Sequence, residues 1–154
     1  MSFHLFVIIE TQVFKAAATG PLKYTTALVA CTGEKWTVAE YYDDCVKTAK
    51  SFLHLGLGRF ESVAILGFNS PEWLMSNNGA ILAGGFAAGI YMTNEPEACK
   101  YIIEHSSARV VVVDGQKQLD KILEIRSQLP KLKAIVMYRD ETFSDPQGAA
   151  DSSL

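Results

Sequence analysis

Along residues 62–139 the apolar positions fall into short unbroken runs, each separated from the next by a turn and an amphipathic stretch. The runs are Val63-Ala64-Ile65-Leu66, Gly89-Ile90-Tyr91, Val110-Val111-Val112-Val113 and Ala134-Ile135-Val136-Met137-Tyr138. None alternates between apolar and polar, so each is expected as a strand with both faces buried. Such strands belong to a parallel sheet covered by helices on each side. Burying one large apolar side chain is worth about 1.5–3 kcal/mol, so four consecutive valines would be a heavy liability on an exposed surface. With right-handed crossovers, the pattern predicts an α/β fold, a partial doubly wound parallel sheet with helices on both faces.

The intervening stretches carry helix signals. Thr37-Val38-Ala39-Glu40 has the spacing of a capping box, in which hydroxyl and carboxylate satisfy each other's backbone amides. Its helix is expected to run to about Leu55, with an apolar stripe that includes Cys45, Ala49, Phe52 and Leu53, and to stop at Gly56. Ser70-Pro71-Glu72 supplies an N-cap, a proline at the first helical position and an acid in the first turn. That helix passes through Trp73, Leu74, Ile81 and Leu82 to Gly84-Gly85. Asn94-Glu95-Pro96-Glu97 predicts the same kind of start for a helix through Ala98, Tyr101, Ile102 and Ile103. After Asp114-Gly115 a further helix is expected from about Lys117, with a stripe of Leu119, Ile122, Leu123, Ile125 and Leu129, ended by Pro130.

Three regions follow. Residues 1–36 form an N-terminal segment with a helix over Gln12 to Ala18 and a hairpin whose turn is Thr32-Gly33-Glu34-Lys35. That turn lacks the G-x-x-x-x-G-K-[ST] spacing of a phosphate loop. Residues 37–139 form the α/β subdomain. Residues 140–154, polar and ending Asp-Ser-Ser-Leu, read as a mobile tail. Met1 to Ile9 lacks the basic n-region of a signal peptide and is expected as the start of a first helix or as an alternative start of the gene product. No apolar run has the length of a membrane span.

Composition narrows the function classes. In 154 residues, 49% are hydrophobic, ample for a core, and the net charge of −3 gives no footprint for nucleic acid. Cys31, Cys45 and Cys99 are odd in number with no recurring spacing, which suits reduced thiols in the cytoplasm. His4, His54 and His105 have no partners at metal-ligand spacing, so no metal site is expected. Ligands of open α/β sheets bind beyond the carboxyl ends of the strands. There Asn69, Ser70, Thr93 and Asn94 are the candidates to hold a small polar ligand, although the same residues suit helix caps. No nucleophile with a base and no pair of acids stands among them, so no catalytic residue is assigned.

Gly67-Phe68-Asn69-Ser70-Pro71-Glu72-Trp73, with Ala83-Gly84-Gly85 and Gly89-Ile90-Tyr91 behind it, resembles the bubblegum-type long-chain acyl-CoA synthetases of the adenylate-forming, AMP-binding superfamily. The likeness continues through Pro96 to Tyr101, Gln116 to Leu119, Lys121 to Leu123 and Leu129 to Ala134, and covers about Val13 to Arg139. The resemblance implies an N-terminal fragment of such an enzyme. It implies ATP, magnesium and coenzyme A as cofactors of the complete enzyme, and fatty acid and coenzyme A as its partners, with formation of an acyl-adenylate and then of acyl-CoA. In the family the phosphate loop and adenine-site residues follow the matched region, so none is carried onto a position here. The chain alone is therefore expected to bind no cofactor and to be inactive. The alternative is a truncated, non-catalytic binding or regulatory module that associates through exposed sheet edges. A cytoplasmic location is expected, with peripheral attachment to the endoplasmic reticulum or other membranes left open.

Overall fold

The computed structural model describes residues 3–138, with side chains from residue 11 onward. Helix α1 (Phe3–Thr19) precedes a hairpin of β1 (Thr26–Val29) and β2 (Lys35–Thr37). Then come α2 (Val38–His54), β3 (Ser62–Leu66), α3 (Pro71–Leu82), β4 (Phe86–Ile90), α4 (Pro96–His105), β5 (Ala108–Val113), α5 (Gln116–Ile125) and β6 (Ala134–Met137). The tail expected over 140–154 lies outside the described residues, as does Arg139.

Strands β4-β3-β5-β6 form one parallel sheet in that order, apart from the antiparallel hairpin. The chain steps outward from β3 to β4, returns past β3 to β5, and continues to β6. The two directions of travel place helices on both faces. On one face Val63, Ile65, Val110 and Val112 pack with Phe52 of α2 and Ala80 of α3. On the other, Ala64, Leu66, Val111 and Val113 pack with Ile103 of α4 and Leu119 and Ile122 of α5. Residues 63–66 and 110–113 are at most 1% exposed. The continuous apolar runs therefore serve both layers at once.

The capping box of α2 is complete. The Glu40 amide donates to the Thr37 hydroxyl at 3.2 Å, and the Thr37 amide donates to a Glu40 carboxylate oxygen at 2.8 Å. Helices α2 and α3 both end in a glycine with positive φ, Gly56 at 87° and Gly84 at 84°. In each case the following residue's amide bonds back to the helix, Leu57 to Phe52 at 2.9 Å and Gly85 to Ala80 at 3.0 Å, which satisfies carbonyls the helix end would otherwise leave open.

Several details differ from the sequence pattern. Strand β4 starts at Phe86, and Tyr91 lies beyond its end, 82% exposed. The Gly84-Gly85 turn is tight enough for pairing to begin at once. Glu95, not Asn94, is the N-cap of α4, and it makes no side-chain capping bond. Leu53, Tyr101 and Leu123 are exposed, because the buried face of each helix is narrower than its apolar stripe. On α4 that face is Cys99 and Ile103, one helical turn apart. On α3 it is Ser76, Gly79 and Ala80.

A charged clamp ties the amino ends of three strands. Glu61, just before β3, accepts from Arg109 of β5 at 2.6 Å and from the Gly58 amide at 2.7 Å. Lys133, just before β6, lies 3.6 Å from the Glu61 carboxylate and donates to the Gly56 carbonyl at 2.5 Å. Burial alone would raise the Glu61 carboxyl. The hydrogen bonds from Gly58 and Arg109, with the charges of Arg109 and Lys133, outweigh it and hold the group below its ordinary value of 4.5.

Two outcomes follow from this packing. A Cβ on Gly79 would sit 2.7 Å from Thr48 Cγ2 and 3.3 Å from the Ala49 amide nitrogen. Thr48 cannot easily swing aside, since its hydroxyl donates to the Asp44 carbonyl at 2.8 Å. Helix propensity favours alanine over glycine by about 1 kcal/mol, but overpacking costs about 1–3 kcal/mol. Gly79→Ala is expected to lower the denaturant midpoint, and an unchanged or raised midpoint would show that α2 and α3 are not in such close contact. The depressed Glu61 carboxyl contributes stability that is present above the unfolded value and lost as pH falls through its folded value. Glu61→Gln should flatten the fall in melting temperature below about pH 4.5, the ordinary carboxyl value, and an identical acid limb would exclude that contribution.

Candidate functional site

The sheet reverses its direction of growth between β3 and β5, and crevices at such a switch point hold the ligands of open α/β sheets. Here the protein's own groups fill that point. A Cβ on Gly67, where β3 ends, would overlap the Tyr138 hydroxyl and lie 2.9 Å from Asp114 Cβ. Asp114, where β5 ends, is 8% exposed and accepts the Phe68 amide at 3.2 Å. The Ser70 hydroxyl is 3.5 Å from the Tyr138 hydroxyl and accepts the Trp73 amide at 3.1 Å. Residues 67–70 are thus held in place from β5 and from the end of β6.

Open space lies to either side of Asn69. A crevice of about 300 Å³ beyond β3 and β4 is lined by Gly67, Asn69, Trp73, Gly89, Ile90 and Tyr91. A larger cleft of about 550 Å³ lies between the hairpin and the start of α3, and Asn69, Ser70 and Glu72 border it with Trp36 and Leu74. The structure thus brings two of the four sequence candidates together. Asn69 is exposed, and Ser70 is buried as the N-cap of α3. Thr93 and Asn94 border neither space. Asn94 contributes its backbone, not its amide side chain. Lys121 donates to the Met92 and Asn94 carbonyls at 2.8 and 2.9 Å and so fixes the loop after β4.

Sequence reasoning passed over Asp114 as a turn residue and Glu72 as a first-turn acid. An acid directly after a buried valine run was the signal for Asp114. Nothing in the sequence indicated that the hairpin would fold back towards Glu72.

Burial shifts the ionisable groups that lie between the helices and the sheet. Burial pushes the Cys45 thiol up to about 12, and burial with the neighbouring Cys45 pushes the Tyr41 hydroxyl up to about 12. Burial also raises Cys99. Neither buried thiol is a thiolate nucleophile near neutral pH. The charged residues of the larger cleft are Glu34 and Glu72, with no lysine or arginine on its lining. That lining repels a triphosphate or the phosphates of coenzyme A, and does not fit them. Among the described residues no three His, Cys, Asp or Glu side chains gather as a metal site would require.

A sequence model of the AMP-binding enzyme family matches residues 14–153, reaching past the Arg139 limit expected from the motifs. The chain is 51% identical over 118 residues to the long-chain-fatty-acid–CoA ligase ACSBG2 of Xenopus laevis, an alignment covering 75% of this chain and 16% of that protein. It is 54% identical over 110 residues to ACSBG1 of Rattus norvegicus, covering 70% of this chain and 15% of that one. The chain therefore spans about one sixth of the length of these relatives. Among solved structures, the anthranilate CoA ligase AuaEII in complex with anthranoyl-AMP superposes with a TM-score of 0.76 at 27% identity, over 83% of this chain and 24% of that one. Family match, sequence identity and fold agree, and the chain belongs to the AMP-binding enzyme family.

Proposed function

We propose that this chain is part of a long-chain fatty acid–CoA ligase and supplies a structural portion of its α/β framework. The observation that carries this reading is the 51% identity to such a ligase over three quarters of the chain. On this reading residues 37–139 are the subdomain that forms the framework, residues 1–36 are an accessory segment, and 140–154 are a tail. ATP, magnesium, coenzyme A and the fatty acid are handled by the whole enzyme. The acidic lining of the larger cleft and the self-filled switch point support assigning no phosphate contact to this portion. Asn69 and Ser70 are the polar pair we assign to the carboxyl edge, with Thr93 and Asn94 serving the loop after β4. The enzyme is cytoplasmic on this reading, with peripheral contact to the endoplasmic reticulum or another membrane. No helix among the described residues is long and apolar enough to cross one.

A second reading, a non-catalytic binding module, is favoured by one observation. Strands β4 and β6 each pair on one side only among the described residues, which leaves backbone groups available to another chain.

The purified chain, given ATP, magnesium, palmitate and coenzyme A, is expected to form no acyl-CoA. Measurable turnover would overturn the structural assignment. The intact mass of the native protein separates the two readings. A species near 16.9 kDa supports the module, and one several times larger supports the ligase.

A further inference from the structure

Helices α2 to α5 end, and the parallel strands begin, along one edge of the molecule, where residues 54–61, 83–85, 104–109 and 126–133 lie. These stretches hold Arg59, Arg109, Arg126, Lys131 and Lys133 against Glu61 and Glu104. Five cations and two carboxylates give the edge a net charge of +3, in a chain whose total is −3. Two of the cations hold the fold. Arg109 pairs with Glu61, and Arg126 donates to the Leu129 and Leu132 carbonyls at 3.0 Å. Arg59, Lys131 and Lys133 are exposed, with Glu104 as the exposed acid beside them. Printed on one continuous surface, Lys133 reaches Gly56, Arg109 donates to the Lys131 carbonyl at 3.3 Å, and the Arg59 guanidinium stacks 4.8 Å over the Phe60 ring. Phe60 is 45% exposed, and its φ of 64° lies in the left-handed region that favours glycine. Its amide donates to the Gly84 carbonyl at 3.0 Å, which fixes the turn. Neither that turn nor the core calls for a phenylalanine here. Leu53, in the last turn of α2, is 51% exposed. The recess of about 170 Å³ beside Lys131 is lined by Glu104 as well, so the attraction for anions belongs to the open surface and not to a pocket.

Exposed cations beside exposed apolar side chains, on an open surface, match the boundary layer of a bilayer. There anionic headgroups attract lysine and arginine, and the acyl region just below takes up aromatic and aliphatic side chains. We propose that this edge docks on an anionic lipid surface, with Phe60 and Leu53 entering the headgroup layer and Arg59, Lys131 and Lys133 beside its charges. An acidic protein would meet the cations but would need a matching recess for Phe60 and Leu53, which a fluid surface supplies anywhere. The apolar stems of arginine and lysine let their charged ends stay at headgroup level while the ring goes deeper. The carboxyl edge, where the crevices open, then faces away from the lipid. This deepens the membrane contact of the ligase reading, and rests on that reading only in that respect.

The test is cosedimentation of the complete 154-residue chain with two kinds of vesicle, phosphatidylcholine alone and an equal mixture of phosphatidylserine and phosphatidylcholine. The chain is expected to sediment with the mixture and not with phosphatidylcholine alone, and rising salt should release it. Arg59→Gln and Lys131→Gln should each weaken binding about fivefold, the share of one basic residue at an anionic surface. Lys117→Gln removes the same charge from the first turn of α5, at the opposite edge, and should leave binding unchanged. Phe60→Asn suits the same backbone conformation and removes the ring. It should weaken binding severalfold at an unchanged melting temperature. Equal binding to both vesicles, no binding to either, or equal losses in Lys117→Gln and Lys131→Gln would overturn the proposal. Tighter binding to soluble poly-glutamate than to the mixed vesicles would assign the edge to an acidic protein and overturn it as well. Should Phe60→Asn fail to fold, the charge variants decide alone. No turnover is measured, so a failure here leaves the ligase reading intact.

Discussion

Strands β3 and β5 lie side by side at the centre of the sheet with essentially no exposed surface on residues 63–66 and 110–113. Everything else is arranged around that constraint. A strand buried on both faces needs an apolar layer above and another below, and hydrophobic burial is the dominant favourable term in folding. Helices α2 and α3 provide one layer, and α4 and α5 the other. Parallel pairing requires a crossover between strands, so the same helices that cover the sheet also connect it. The reversal between β3 and β5 follows from serving both faces with one chain.

This dependence explains what was legible beforehand. The valine run, the Thr37–Glu40 box and the Ser70-Pro71-Glu72 start are local signals, each decided within a few residues, and the structure shows each of them. The start of β4 and the cap of α4 were placed less well. In both cases the outcome rests on a turn whose geometry is set by neighbours far away in sequence, as when Lys121 of α5 fixes the loop around Met92 and Asn94. The apolar stripes were also read too wide. Composition reports that Leu53 or Tyr101 is apolar, but not that the sheet is too narrow to cover it.

The candidate site was half legible for the same reason. Asn69 and Ser70 lie next to the end of a recognisable strand, so position alone identified them. Tyr138, which pairs with Ser70, and Asp114, which accepts the neighbouring Phe68 amide, follow other strands, and the hairpin beside Glu72 packs there through tertiary contacts that no periodicity encodes. Two roles also competed at single positions. Ser70 turned out to be a cap that additionally faces a cleft, an outcome that a choice between capping and binding does not anticipate.

The clamp of Glu61, Arg109 and Lys133 lies at the amino ends of the strands, opposite the carboxyl edge where the crevices open. The amino ends are tied by charge, whereas the carboxyl edge is tied by single hydrogen bonds such as that from the Phe68 amide to Asp114. Random substitution therefore meets unequal resistance along the strand axis. Replacements around Phe68 or Tyr91 touch exposed side chains and leave the fastening intact. Replacements around Glu61 disturb three strands together. Exposed positions at the carboxyl edge can therefore change at little cost to the fold, while changes at the charged clamp are felt by β3, β5 and β6 together.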